Sequence, residues 1–304
     1  MIILYSGEVI SKILGIVVFG YLGRTLLEAR YGDLEFSLAW LFLFNLVIDA
    51  GLAPYGAREA AKEPQRTAQL VGQIALVRAG LVIISVILLV AISQTVQMEA
   101  IARTLVLCQG LVLLPAPLII NWVFQSRDQM QVVAACSLLR QIIFSVGVIA
   151  FVQGPSDVLL VPLADAIGLS IAVLIQIFLY IKGGETRVSS KHLFFGARRV
   201  VAESLPLTGS SVVWARRLFF PLLALGLFGT SAETGIFGAG HRLVIAAHQF
   251  VWLYFFNLLP SLSRLAVSES LDGFHQLIGN SMRFVGWVAI FGAGLGTVLA
   301  PVLL

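Results

Sequence analysis

Arginine recurs where hydrocarbon is expected in this chain. Arg78 falls midway along the apolar residues 68–92, and Arg140 lies in the centre of 130–152. Arg216 and Arg217 interrupt 204–228, Arg242 sits in the first third of 234–261, and Lys12 and Arg24 flank the centre of 6–26. A guanidinium at bilayer depth costs roughly 2.5–3.5 kcal/mol on insertion scales, so each needs a partner or a wet lumen. The chemistry such a lumen suits is anion binding, because the guanidinium stays charged and its fixed fork of donors matches phosphate oxygens. Arginine outnumbers lysine sixteen to four. Neighbours on a helix point about 100° apart, so one of Arg216 and Arg217 faces a narrow lumen while the other is open to pairing with an acid such as Asp165. Asp165 lies about two turns into residues 157–181, and Asp49 stands near the inner end of 34–55. Either carboxylate is a candidate ion-coupling group; for Asp49 a contact at a helix end near Arg58 is the stronger expectation. His241 and His248 share a helical face, where polar packing is expected over a proton relay.

The elements that would hold these groups are membrane helices. The chain is 59% hydrophobic and 12% charged, about half the charge usual in soluble domains. A span needs about 20 apolar residues, which places helices at 6–26, 34–55, 68–92, 100–123, 130–152, 157–181, 204–228, 234–261 and 280–304, nine in all. The fold class is therefore all-α and polytopic. With the N-terminus cytoplasmic, the inner loops carry Arg58, Lys62, Arg66, Arg127, Lys182, Arg187, Lys191, Arg198, Arg199 and Arg264, against Arg24 and Arg30 outside. The sizeable segment 183–203 is then cytoplasmic, and its stretch from Lys191 to Val201 reads as a basic amphipathic linker on anionic headgroups. It divides a six-helix lobe, 1–182, from three helices at 204–304.

Other chemistries find little support. Cys108 and Cys136 fall in apolar stretches and read as buried hydrophobes. No CxxC, HExxH or metal-spaced Cys/His cluster occurs, so no metal or other cofactor is expected. The net charge of +4 comes mostly from loops, which argues against a nucleic-acid partner. Gly-Ala-Gly-Leu-Gly at 292–296 lies within an apolar helix with no preceding strand and reads as close helix packing.

Helix-end residues add a family resemblance. Tyr31-Gly32 precedes the second helix; Asp49-Ala50-Gly51-Leu52 closes it, followed by Ala57-Arg58-Glu59-Ala60-Ala61. Asn121-Trp122-Val123-Phe124-Gln125 ends the fourth, and Glu203-Ser204-Leu205-Pro206-Leu207 opens the seventh. Gly235-Ile236-Phe237 and His241-Arg242-Leu243 run into the eighth, which ends at Leu259-Pro260-Ser261-Leu262-Ser263-Arg264. In order and spacing these resemble the polysaccharide transporter family of the multidrug/oligosaccharidyl-lipid/polysaccharide exporter superfamily, which includes O-antigen and other lipid-linked oligosaccharide flippases. Tyr31-Gly32 and Gly235-Ile236-Phe237 also stand at equivalent positions, a faint echo of the repeats between transporter halves.

The resemblance implies twelve to fourteen helices in two six-helix lobes. Nine helices would be a complete first lobe with a partial second one, and the chain is expected to be a truncated form. It also implies a non-enzymatic, inner-membrane flippase for a polyprenyl-pyrophosphate-linked oligosaccharide, with the pyrophosphate in a cationic cavity of Arg78, Arg140, Arg216, Arg217 and Arg242. Coupling to H+ or Na+ through Asp165 or Asp49, and contact with membrane lipids and polysaccharide assembly proteins, follow from the same likeness. A multidrug exporter of the same superfamily would favour an acidic lumen. A membrane polymerase or ligase of surface polysaccharides would need a large catalytic outer loop, whereas the expected outer loops run to only about ten residues or fewer.

Overall fold

The chain alternates long apolar helices with connections of a few residues, and a computed structural model describes residues 2–184, 193–246, 248, 251 and 271–303. No strand occurs among the described residues. The elements are α1 (Ile2–Asp49), α2 (Leu52–Lys62), α3 (Thr67–Thr95), α4 (Ala100–Leu113), α5 (Asn121–Ser126), α6 (Met130–Phe151), α7 (Leu160–Lys182), α8 (Leu193–Phe228), α9 (231–246) and α10 (Leu271–Leu303). Among the described residues, five helical runs are long and apolar enough to cross a membrane: Ile10–Lys62, Pro64–Thr95, Ala100–Ser126, Met130–Phe151 and Leu160–Lys182. The protein is an all-α polytopic membrane protein.

The six helices expected in the first 182 residues all have counterparts, with instructive differences at their ends. The first two are one helical run broken at Leu27, whose φ of 62° and ψ of 167° lie outside the helical region. Helix resumes at once, so the expected loop at 27–33 is a single strained residue. The second helix stops at Asp49, where Ala50 (φ 40°) and Gly51 (φ 71°) turn the chain left-handed. The short amphipathic helix α2 follows, with Leu52, Tyr55, Gly56 and Ala60 buried. The fourth expected helix is interrupted at Pro115, giving α4, a 3-10 turn at Ala116–Leu118, and α5.

The seventh expected helix begins earlier, at Leu193, and α8 runs unbroken through Pro206 and Pro221 to Phe228. Its apolar part among the described residues is the shorter stretch Arg217–Phe228. Thr230 and Glu233 cap α9 reciprocally: Glu233 N donates to Thr230 Oγ1 at 3.2 Å, and Thr230 N donates to Glu233 Oε2 at 2.9 Å. That bond to the Thr230 backbone holds the Glu233 carboxyl below its ordinary range.

Among the described residues, three apolar cores lie within 1–239, the first of two units in the chain. One joins the second half of α1 to α3, α4, α7 and α8 through Phe44, Ile48, Leu89, Leu113, Val173 and Leu222. A second joins the first half of α1 to α6 and the start of α7 through Leu22, Leu26, Val148 and Val161. The third packs α2 on α3 and α5, where a Cβ on Gly56 would lie 2.8 Å from Ile74 and Trp122. Outward faces are apolar too. Ile83, Ile84, Ile87 and Leu88 on α3, and Ile167, Ile171, Leu174 and Phe178 on α7, are exposed at helical spacing, as a lipid-facing surface requires.

The second unit, 240–304, holds the end of α9 and α10. Helix α10 takes in 280–303 of the expected span 280–304, and its Ser281 hydroxyl donates back to the Leu277 carbonyl at 2.7 Å. Beyond residue 251 the expected span 234–261 lies outside the described residues.

Candidate functional site

Helices α6 and α7 form an antiparallel hairpin whose register is set by small residues. A Cβ on Gly147 would sit 3.1 Å from Ala164 Cβ, and one on Gly168 would sit 2.9 Å from the Arg140 carbonyl oxygen. Small side chains let membrane helices approach closely. Asp165 is one turn before Gly168, so the same close approach brings its carboxylate to the Arg140 guanidinium. Arg140 Nε donates to Asp165 Oδ1 at 3.0 Å, and Nη2 donates to Oδ1 at 2.8 Å and to Oδ2 at 3.0 Å.

This pair opens on a cleft of 330 Å³. Ser11, Phe19 and Leu38 of α1, Gln109 of α4, Ser137 and Gln141 of α6, and Pro162 of α7 line it beside the pair. The Arg140 side chain is 40% exposed and that of Asp165 18%, so the guanidinium is the more open partner. Gln109 is buried; its Nε2 donates to the Ser37 hydroxyl at 3.3 Å, and its Oε1 has no hydrogen-bond partner. A buried amide with one satisfied end adds an acceptor to the cleft wall. Phe144 and Val161 also face it, so the lining mixes polar and apolar side chains; Arg140 and Asp165 are the only charged residues among the described lining, and the cleft carries no net charge.

Arg78 stands elsewhere. It is 4% exposed, and it pins the broken fourth helix to the end of α1. Its Nη1 donates to the Ile119 carbonyl at 2.7 Å and its Nη2 to Asp49 Oδ1 at 2.5 Å. The structure thus unites Arg78 with Asp49, and Arg140 with Asp165, and does not bring Arg78 to the cleft. Arg217 is exposed on α8 with no ion-pair partner among the described residues. The Arg216 side chain lies outside the described residues. Arg242 and His241, in the second unit, are half-buried.

Two helix-end clusters were not foreseen as contacts. Where α2 meets α8, the Tyr55 hydroxyl donates to Glu203 Oε2 at 3.1 Å and Arg199 Nε donates to Oε1 at 2.7 Å. Those bonds, Arg199 first, hold the Glu203 carboxyl below its ordinary range. Arg58 lies 5.8 Å from the Tyr55 ring centroid, and a 460 Å³ groove beside the cluster is lined by Glu59, Glu63, Arg66, Gln73 and Arg199. At the other cluster, Gly32 abuts Ser231 and Gly235, and Gly235 in turn abuts the Glu28 carbonyl. Buried Asp33 accepts from the Ser231 hydroxyl at 2.6 Å and from Arg30 Nη1 at 3.0 Å. The signal for both contacts was the set of helix-end residues already noted: Tyr31-Gly32 meets Gly235, and the segment around Arg58 meets Glu203.

A family model described as polysaccharide biosynthesis protein matches residues 1–266. No curated protein and no solved structure matches the chain.

Proposed function

The chain belongs to the polysaccharide biosynthesis protein family, and from that premise we propose that it is a flippase. It moves a polyprenyl-pyrophosphate-linked oligosaccharide from the inner to the outer leaflet of the inner membrane by alternating access, without breaking a covalent bond. Arg140 carries the reading. It is a guanidinium midway along an apolar 22-residue helix, paired with Asp165 on the wall of a cleft that also holds four uncharged polar side chains. Its fork of donors suits the pyrophosphate, while the polyprenyl chain remains in hydrocarbon. Ser11, Gln109, Ser137 and Gln141 supply hydroxyl and amide groups of the kind that bind sugar hydroxyls. Arg217, exposed on α8, is a second contact for the anion as it moves.

The test is sidedness of a fluorescent lipid-linked oligosaccharide in proteoliposomes, read by access of an added glycosidase. Wild-type protein should expose the glycan on the second face, and Arg140→Ala should insert normally and lose most of that transfer. Unchanged transfer by Arg140→Ala would exclude Arg140 as the anion site. A change in glycan length rather than sidedness would point to a polymerase or ligase.

A further inference from the structure

Asp165 already occupies the donors that a phosphate would need. It takes Nε and Nη2 of Arg140 through three contacts of 2.8–3.0 Å, the side-on arrangement by which a guanidinium also holds a phosphate. The pair is the whole of the cleft's charge among the described lining. From α1 the cleft receives Ser11, Phe19 and Leu38, and from α4 Gln109, none of them ionised. An arginine left alone at this depth would be costly. A carboxylate left alone would be costly as well, so neither partner can be idle in an empty carrier.

We propose that Asp165 is a resident stand-in for the substrate's phosphate. The proposal rests on the transport reading above. In the empty protein the carboxylate fills the Arg140 fork and leaves a neutral cleft, so the carrier can return without a bare cation. When a pyrophosphate lipid arrives, it exchanges with Asp165 for the same donors; the carboxylate swings toward the cleft opening, and no bond is made or broken. Asp165 thereby weakens substrate binding and speeds the return step. Its role is specificity and reset, and a purely structural ion pair would do neither. The two effects have opposite signs on neutralisation, tighter binding with slower cycling, and that combination is what separates them from damage.

The experiment uses the full chain in lipid nanodiscs with farnesyl pyrophosphate as the probe, and proteoliposomes for flipping. Asp165→Asn and Asp165→Ser should each bind the probe about tenfold more tightly than wild type, the size expected when one competing charged contact is removed. Both should also flip more slowly over many turnovers while completing the first turnover at the wild-type rate. If wild type binds the probe and loses binding on Arg140→Ala, but both Asp165 variants bind equally or more weakly, the stand-in role is overturned and the transport reading survives. If neither wild type nor the Asp165 variants bind, or Arg140→Ala binds like wild type, the transport reading itself fails. If neither neutral variant gives a monodisperse protein, the pair is a structural pin and the proposal is wrong.

Discussion

Arg78 offers a sharp test of whether a membrane arginine holds a ligand or holds the fold. Arg78→Met keeps the length of the apolar stem and removes the charged head, so any loss comes from the polar contacts. Two are at stake: a charged hydrogen bond to the Ile119 carbonyl and an ion pair to Asp49. Hydrogen bonds to charged groups are worth about 1.5–3 kcal/mol each. The Asp49 side chain is 41% exposed, which screens that half toward the low end. The Ile119 carbonyl, by contrast, loses its donor where the chain turns between the 3-10 segment and α5. The sum is about 3–4 kcal/mol. For domains of this size about 2–4 °C accompanies each kcal/mol, so the melting midpoint in detergent should fall by roughly 6–16 °C. Asp49→Asn keeps an acceptor and should lose less than half as much. The assay is thermal unfolding followed by size-exclusion fluorescence, with farnesyl pyrophosphate binding measured on the same samples. A midpoint within about 2 °C of wild type, together with loss of probe binding, would refute the structural role and place Arg78 at the anion site.

Two further expectations concern the helix ends. Gly32→Ala puts a Cβ against the Ser231 backbone and should cost about 1–3 kcal/mol, whereas Gly80→Ala on α3 meets nothing within 4 Å and should be neutral or stabilising by up to about 1 kcal/mol; parallel melting curves compare them. Glu203 is held below its ordinary value of 4.5 in the fold, so its contribution is complete above that value and is lost as pH falls through the lower folded one. The melting difference between wild type and Glu203→Gln should therefore persist from about pH 8 to 5 and shrink only below about pH 4.5.

Much of this architecture was legible because a bilayer demands long apolar helices, and 68–92, 130–152 and 157–181 match α3, α6 and α7 within a few residues. Boundaries set by tertiary contact were not. The charges from Arg24 to Asp33 mark the break that falls at Leu27, but neither glycine nor proline shows that it is one residue rather than a loop. Glu203-Ser204-Leu205-Pro206-Leu207 reads as the opening of a helix, yet α8 passes through it from Leu193. The sequence carries a cue to the Arg140–Asp165 pair. Folding the hairpin about its short connection aligns Gly147 with Ala164 and Arg140 with Gly168, and Asp165 is one turn away. Arg78 with Asp49 had no such cue, because the register of α3 against α1 is fixed by packing alone.

The break at Leu27 also works as a depth gauge. The backbone groups it leaves without helical partners cannot remain in hydrocarbon, so Leu27, itself exposed, marks one water level. Counting along the two halves of α1 at about 1.5 Å per residue puts Phe19 roughly 12 Å, Leu38 roughly 16 Å and Ser11 roughly 24 Å below it. In a hydrocarbon core of about 30 Å, Ser11 lies toward the far side, while Phe19 and Leu38 stand close to the midplane. A charge bound there has crossed about half of the membrane potential, worth about 1.2 kcal/mol per charge at 100 mV. Occupancy of the cleft by a multivalent anion should therefore depend on voltage, and with opposite sign for approach from the two faces.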